Sequence, residues 1–166
     1  MRSSEAIGLL FSCLLLVSCT TNHIANINNP VVGEKAILSN GYTLMLPKAF
    51  QIVAVSTGEM DFDIYELKDS SGKVLSKIYL GNAPDTTLIK RKKYQFTNFK
   101  TESFKGIEKT KSCGINTCGE VLVFLDNNKG WPQFVHIIFN DLTSDELKSV
   151  ERVVYSLAYK GELKSM

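Results

Sequence analysis

The sequence predicts an α+β domain: a mostly antiparallel β-sheet with a C-terminal helix packed on one face. Three observations carry that prediction. Short runs rich in β-branched and aromatic residues alternate with Gly, Asn and Pro turn signals. Two runs, CGEVLVFLD (118–126) and FVHIIFN (134–140), are nearly continuous in apolar character, as central strands covered on both faces are. One segment after them carries a helical stripe behind a clear start signal. With 166 residues, 44% hydrophobic and 22% charged at a net charge of +2, the chain suits one domain with a real core. That composition excludes a disordered tail and a strongly basic nucleic-acid binder.

The chain starts with an address. Behind Arg2, Ala6 to Val17 is a twelve-residue, mostly apolar run. It is too short to cross a bilayer stably and suits the apolar region of a secretory signal. A buried N-terminal helix is the alternative. Against it stands the ending Leu16-Val17-Ser18-Cys19. This resembles the lipobox of bacterial lipoproteins, with Leu, a β-branched residue and a small residue before the cysteine. The resemblance implies that residues 1–18 are a signal peptide and that Cys19 is the lipid-attachment residue. Its thiol would carry a diacylglycerol, and its freed amino group a third chain. At about 0.8 kcal/mol per buried CH₂, two or three chains make a stable membrane anchor. Cys13, inside the apolar run, leaves with the signal. Thr20 stands where an Asp tends to retain such lipoproteins in the inner membrane, which implies the outer membrane, facing the periplasm. Loss of Arg2 and Glu5 with the signal leaves the net charge at +2.

Residues 19–34 hold four Asn, Pro30 and Gly33 with no persistent period, and read as a flexible tether of the lipidated chain. His23 lies there and reads as a solvated linker residue. One α+β domain is expected over 35–160, with 161–166 as a tail. Asn40-Gly41 between two apolar runs is a strong hairpin signal. QIVAVS (51–56) reads as a strand. Met60, Phe62 and Ile64 alternate with Asp61, Asp63 and Tyr65, the period-2 pattern of a half-buried strand. Asp69-Ser70-Ser71-Gly72 is turn chemistry, with VLSKIYLG as the return strand. Residues 84–100 fit neither helix nor strand cleanly, and 106–113 read as another strand. Thr143 with Glu146 forms a capping box, followed by Leu147, Val150, Val154 and Leu157 at helical spacing.

The lipobox, the Asn-rich tether, the hairpin "NGYTLMLP", the run of strands and the final unit "FVHIIFNDLTSDELKSVERVVYSL" together resemble the PsbP-like fold of the DcrB family of envelope lipoproteins. The resemblance implies an α/β sandwich over most of 36–158. It carries no catalytic constellation to this chain.

Export places Cys113-Gly-Ile-Asn-Thr-Cys118 where a disulfide is the default fate. A ring this short removes only about 2 kcal/mol of unfolded-state entropy, so its role is to pin a turn. A redox pair more often uses Cys-x-x-Cys, and zinc needs two further ligands where only His23 and His136 exist. No cofactor and no metal site is expected. His136 is the histidine of the folded part, hence the candidate general base of a small hydrolase; a strand histidine among apolar neighbours is more often a packed residue. No Gly-x-Ser-x-Gly or His-Glu-x-x-His accompanies it. Glu59, Asp61 and Asp63 share a strand face, read as solvated rather than as a Ca²⁺ site.

Residues 90–111 carry eight basic residues against Glu102 and Glu108, interleaved with Tyr94, Phe96, Phe99 and Phe104. Export disfavours nucleic acid there. Lys90, Arg91, Lys92 and Lys93 are the candidate contact for an anionic lipid surface or an acidic protein, against a solvated edge whose lysines discourage aggregation. Residues 59–69 are oppositely charged, which predicts pairing between neighbouring strands. The expected function is a non-catalytic envelope lipoprotein that binds a protein partner or envelope component. The alternative is an immunity-type inhibitor of a secreted hydrolase or toxin, with Gly114, Ile115 and Asn116 as the tip of its plug.

Overall fold

The computed structural model describes residues 33–56, 61–85, 95–100, 104–125 and 130–159. Among the described residues there are two antiparallel sheets and one α-helix around a shared core. In chain order the strands are β1 (Gly33–Ile37), β2 (Tyr42–Pro47), β3 (Gln51–Ser56), β4 (Phe62–Lys68), β5 (Val74–Gly81), β6 (Gln95–Lys100), β7 (Lys105–Cys113), β8 (Asn116–Phe124) and β9 (Phe134–Leu142). Helix α1 (Ser144–Tyr155) and the short β10 (Ala158–Tyr159) follow. The smaller sheet has the order β1-β2-β10, the larger β3-β4-β5-β9-β8-β7-β6.

β1 and β2 form the hairpin expected at Asn40-Gly41, with Ile37 opposite Thr43. Both turn residues take positive φ, 57° and 78°, which Asn and Gly tolerate. β1 starts at Gly33, two residues before the expected domain start. β3, β4 and β5 form a meander, and Asp69 closes its second turn. The Asp69 carboxylate accepts from the Ser71 hydroxyl (2.6 Å) and from the Ser71 and Lys73 amides (2.9 and 3.0 Å). The Ser71 hydroxyl bond leads in holding its pKa below the ordinary value.

β6 to β9 form a second meander that returns β9 beside β5. β9 and β8 thus occupy the middle of the sheet, and both are buried on both faces over most of their length, as their composition predicts. Residues 95–100 of the unclear segment are a strand.

α1 lies on one face of the large sheet. Its Thr143 hydroxyl accepts from the Glu146 amide while the Glu146 carboxylate accepts from the Thr143 amide at 2.8 Å, completing the capping box. Val150, Val153 and Val154 point into a core shared with Leu44 and Leu46 of β2 and Leu67, Ile78, Val123 and Ile137 of the large sheet. No described helix is long and apolar enough to cross a membrane.

Two expectations need correction. In β4 the core-facing set is Asp63, Tyr65 and Leu67, whereas Phe62 and Ile64 turn to the other face. Asp63 is therefore 3% exposed rather than part of a solvated acidic face. Tyr65 decides this orientation: its ring joins the core and its hydroxyl meets the Ser39 hydroxyl at 2.7 Å. Second, among the described residues the acidic strand β4 and the basic strands β6 and β7 are not neighbours in the sheet. β4 and β7 are separated by three strands, about 19 Å at roughly 4.8 Å per step. Glu66 instead pairs with Lys68 in its own strand at 3.0 Å.

Candidate functional site

Side chains directly across a ladder share a face, so the strand registers assemble the surface opposite α1 row by row. One row reads Lys100, Lys105, Phe124, Phe134, Gly81 and Phe62. The next reads Asn98, Ile107, Leu122, His136, Tyr79 and Ile64. In the third, Lys109, Glu120, Ile138, Lys77 and Glu66 follow one another. This outer face has a buried polar centre and an aromatic margin.

The centre is His136 and Glu120, both 1% exposed, with Nε2 and Oε2 2.7 Å apart. This contact is a hydrogen bond enclosed within the sheet. Among the described residues, Glu120 Oε1 has no hydrogen-bond partner. Lys109 sits directly opposite Glu120 and is also buried. Lone charges are expensive to bury, and the histidine–carboxylate contact offsets that cost. The carboxylate that histidine chemistry needs is thus present beside His136. Substrate access is not: the imidazole is enclosed, with Leu122 and Tyr79 across its two ladders. Glu120 was not singled out from the sequence, and Lys109 only as one of the basic residues of 90–111. A lone Glu inside CGEVLVFLD was the available signal, because a continuous apolar strand has no other reason to hold a charge.

The margin is aromatic. Phe62 stacks on Tyr79 with centroids 5.5 Å apart, and Phe124 meets Phe134 edge-on at 5.9 Å. Near the Phe124 end an open recess of about 440 Å³ is lined by Asn98, Phe99, Lys100, Lys105, Gly106, Ile107 and Phe124.

At the far end of the same hairpin, Cys113 and Cys118 are joined in a disulfide. Cys113 pairs with Asn116, so Gly114 and Ile115 form a two-residue turn. Gly114 has φ 69°, the positive value that a tight hairpin needs at its first central residue. Ile115 is 101% exposed, and the Asn116 amide donates to Asp141 at 3.0 Å. The three tip residues named from the sequence therefore lie together on a cross-linked projection.

A second carboxylate cluster lies on the inner face. Tyr155 Oη donates to Glu108 Oε2 at 3.1 Å, and Glu108 also shares a hydrogen bond with Glu151. Burial, then the charge of Glu108, pushes Glu151 up to about 7, and burial raises Glu108. Burial of two neighbouring carboxyl groups favours one proton shared between them. Among the described residues, no group of three or more His, Cys, Asp or Glu is arranged to hold a metal ion. Cys19, His23, Glu59 and the run Lys90, Arg91, Lys92, Lys93 lie outside the described residues.

No family model and no curated protein matches the chain. Among solved structures, a crystal structure from Bacteroides thetaiotaomicron VPI-5482 is similar at 10% identity with a TM-score of 0.43. The likeness covers 76% of this chain and 48% of that one, so the chain spans about half of that protein.

Proposed function

We propose that this protein is a non-catalytic lipoprotein of the bacterial envelope, anchored by acyl chains on Cys19 and binding a protein partner through the β7–β8 hairpin tip. The observation that carries the reading is Ile115, a fully exposed apolar side chain on a turn closed by a disulfide. A rigid projection loses little conformational entropy on docking, which makes it an economical anchor for a partner's pocket. The disulfide itself fits an oxidising compartment. The enclosed His136 supports a binding role over hydrolysis. Thr20 after Cys19 favours the outer membrane, facing the periplasm, and Lys90, Arg91, Lys92 and Lys93 are suited to an anionic surface beneath. The resemblance to DcrB-type lipoproteins fits the same compartment.

The tip also favours the inhibitor reading, in which Gly114, Ile115 and Asn116 enter the cleft of a secreted hydrolase or toxin. Two measurements test these readings. A palmitate analogue should label the wild-type chain and not Cys19→Ser; equal labelling overturns the anchor. A photo-crosslinker replacing Ile115 should give one discrete adduct in intact envelopes, lost in competition with the unmodified chain but not with Ile115→Arg. Adducts indifferent to that competition overturn the tip. A hydrolase in the adduct, inhibited in its purified form, selects the inhibitor reading.

A further inference from the structure

The recess at the other end of the β7–β8 hairpin has a chemistry of its own. Lys100 and Lys105 face each other directly across β6 and β7, and Lys105 in turn faces Phe124. Two like charges on opposed strand positions repel, and an anion between them relieves that repulsion. Both lysines are exposed, so their ammonium groups are free to swing over a ligand. Beside them the wall turns apolar. Phe124 keeps 41% of its surface exposed, held edge-on by Phe134, and Ile107 lies one row further in. On the inner side, the Phe99 ring packs edge-on against Tyr155 at 5.2 Å, which fixes the β6 backbone that floors the recess. A volume of about 440 Å³ falls in the range of small-molecule sites, roughly 300–1,000 Å³.

We propose that this recess binds a single-chain anionic amphiphile, with its acidic head between Lys100 and Lys105 and its acyl chain along Phe124 and Ile107. A head group alone would leave the aromatic wall in water, and a neutral chain would leave the lysine pair uncompensated. A bilayer surface is flat, whereas this is a concavity of molecular size. The site does not depend on the partner contact proposed at Ile115, which lies about 25–30 Å away along a hairpin of nine-residue strands.

The probe is dodecyl phosphate, titrated below micelle formation into the full chain carrying Cys19→Ser, so that no acyl chain of its own is attached. Inorganic phosphate, dodecyl maltoside and phosphatidylglycerol vesicles form the other arms. Dodecyl phosphate should bind saturably at one per chain, and at least tenfold more weakly to Lys100→Gln/Lys105→Gln and to Phe124→Ser. The lysine variant alters exposed side chains only, so it decides the matter even where Phe124→Ser perturbs folding. Ile115→Arg should bind as the parent does, so loss at the tip and loss at the recess are read separately. Equal affinity for inorganic phosphate overturns the proposal in favour of a simple anion site. Equal affinity for the maltoside leaves only an apolar patch, and binding to vesicles without binding to the monomer leaves a membrane surface. Absence of any binding also overturns it.

Discussion

Glu120 and His136 each need the other. Enclosed in the sheet and 2.7 Å apart, neither can turn to water if its partner is removed. Breaking such a pair from one side costs about 3–5 kcal/mol, while replacing both members by apolar residues of similar size is often neutral. Glu120→Ala is therefore expected to cost about 3–5 kcal/mol in urea unfolding, and Glu120→Leu/His136→Leu far less. If the double change is as damaging as the single one, the site is needed for something besides packing. Half of this pair was legible in the sequence. His136 stands out as a titratable group in an apolar strand, and so does Glu120 once the same test is applied to CGEVLVFLD. Their contact was not legible, because it depends on Leu122 facing His136 across β8 and β9, a register set by pairing far outside either strand. The orientation of β4 was missed for a similar reason. Alternation shows that two faces differ, but the Tyr65–Ser39 contact with another element chooses which of them enters the core.

At the scale of elements, the helix was the most legible part, since capping and period are local. Thr143, Glu146 and the valine stripe suffice to place it. Its two ends answer pH in opposite senses, and that belongs to the tertiary structure. Near the start, the bond from Lys73 at 2.7 Å leads in lowering the Glu146 pKa, so this contribution is present above the ordinary carboxylate value and is lost as pH falls. Further along, Glu151 has a folded pKa of about 7 against an ordinary 4.5, raised first by burial and then by Glu108, with Lys148 opposing. A raised carboxyl pKa means that the folded state holds the proton longer. Its contribution is complete below about 4.5, declines through neutral pH and is gone above about 7. Glu151→Gln keeps a hydrogen-bond donor for Glu108 without the charge. Glu151 is partly solvated, so screening reduces the effect to about 1 kcal/mol at pH 8, or a Tm gain of roughly 3–5 °C. Thermal melts between pH 5 and 8 should show a flatter profile for the variant. A profile parallel to the parent's would mean that the two carboxylates do not share a proton.

For the molecule as a whole, the long-range question is how two sheets of unequal size share one core. The strand order lies beyond sequence patterns. β9 enters between β5 and β8, and β10 returns after the helix to pair with β2; each is a contact between segments distant in the chain. The small sheet is held by side-chain packing, by the Ser39–Tyr65 contact at its turn and by the region around Ser156. There the Met45 amide donates to Ser156 Oγ at 2.8 Å, and Thr43 Oγ1 donates to the Ala158 carbonyl at 3.3 Å. The Ser156 hydroxyl also donates to the Val153 carbonyl at 2.6 Å, which fixes it to the end of α1. One side chain thus ties β2 to the helix, and the helix lies on the large sheet. Ser156→Ala leaves the Met45 amide without its acceptor, at about 1–2 kcal/mol. If the two sheets open as separate units, that loss falls on the smaller one. Native-state hydrogen exchange should then quicken at the Leu44 and Leu46 amides about five- to thirtyfold, while Val123 and Val135 in the large sheet change little. Uniform quickening across both sheets would show that they open together, with β2 as much a part of the core as β8.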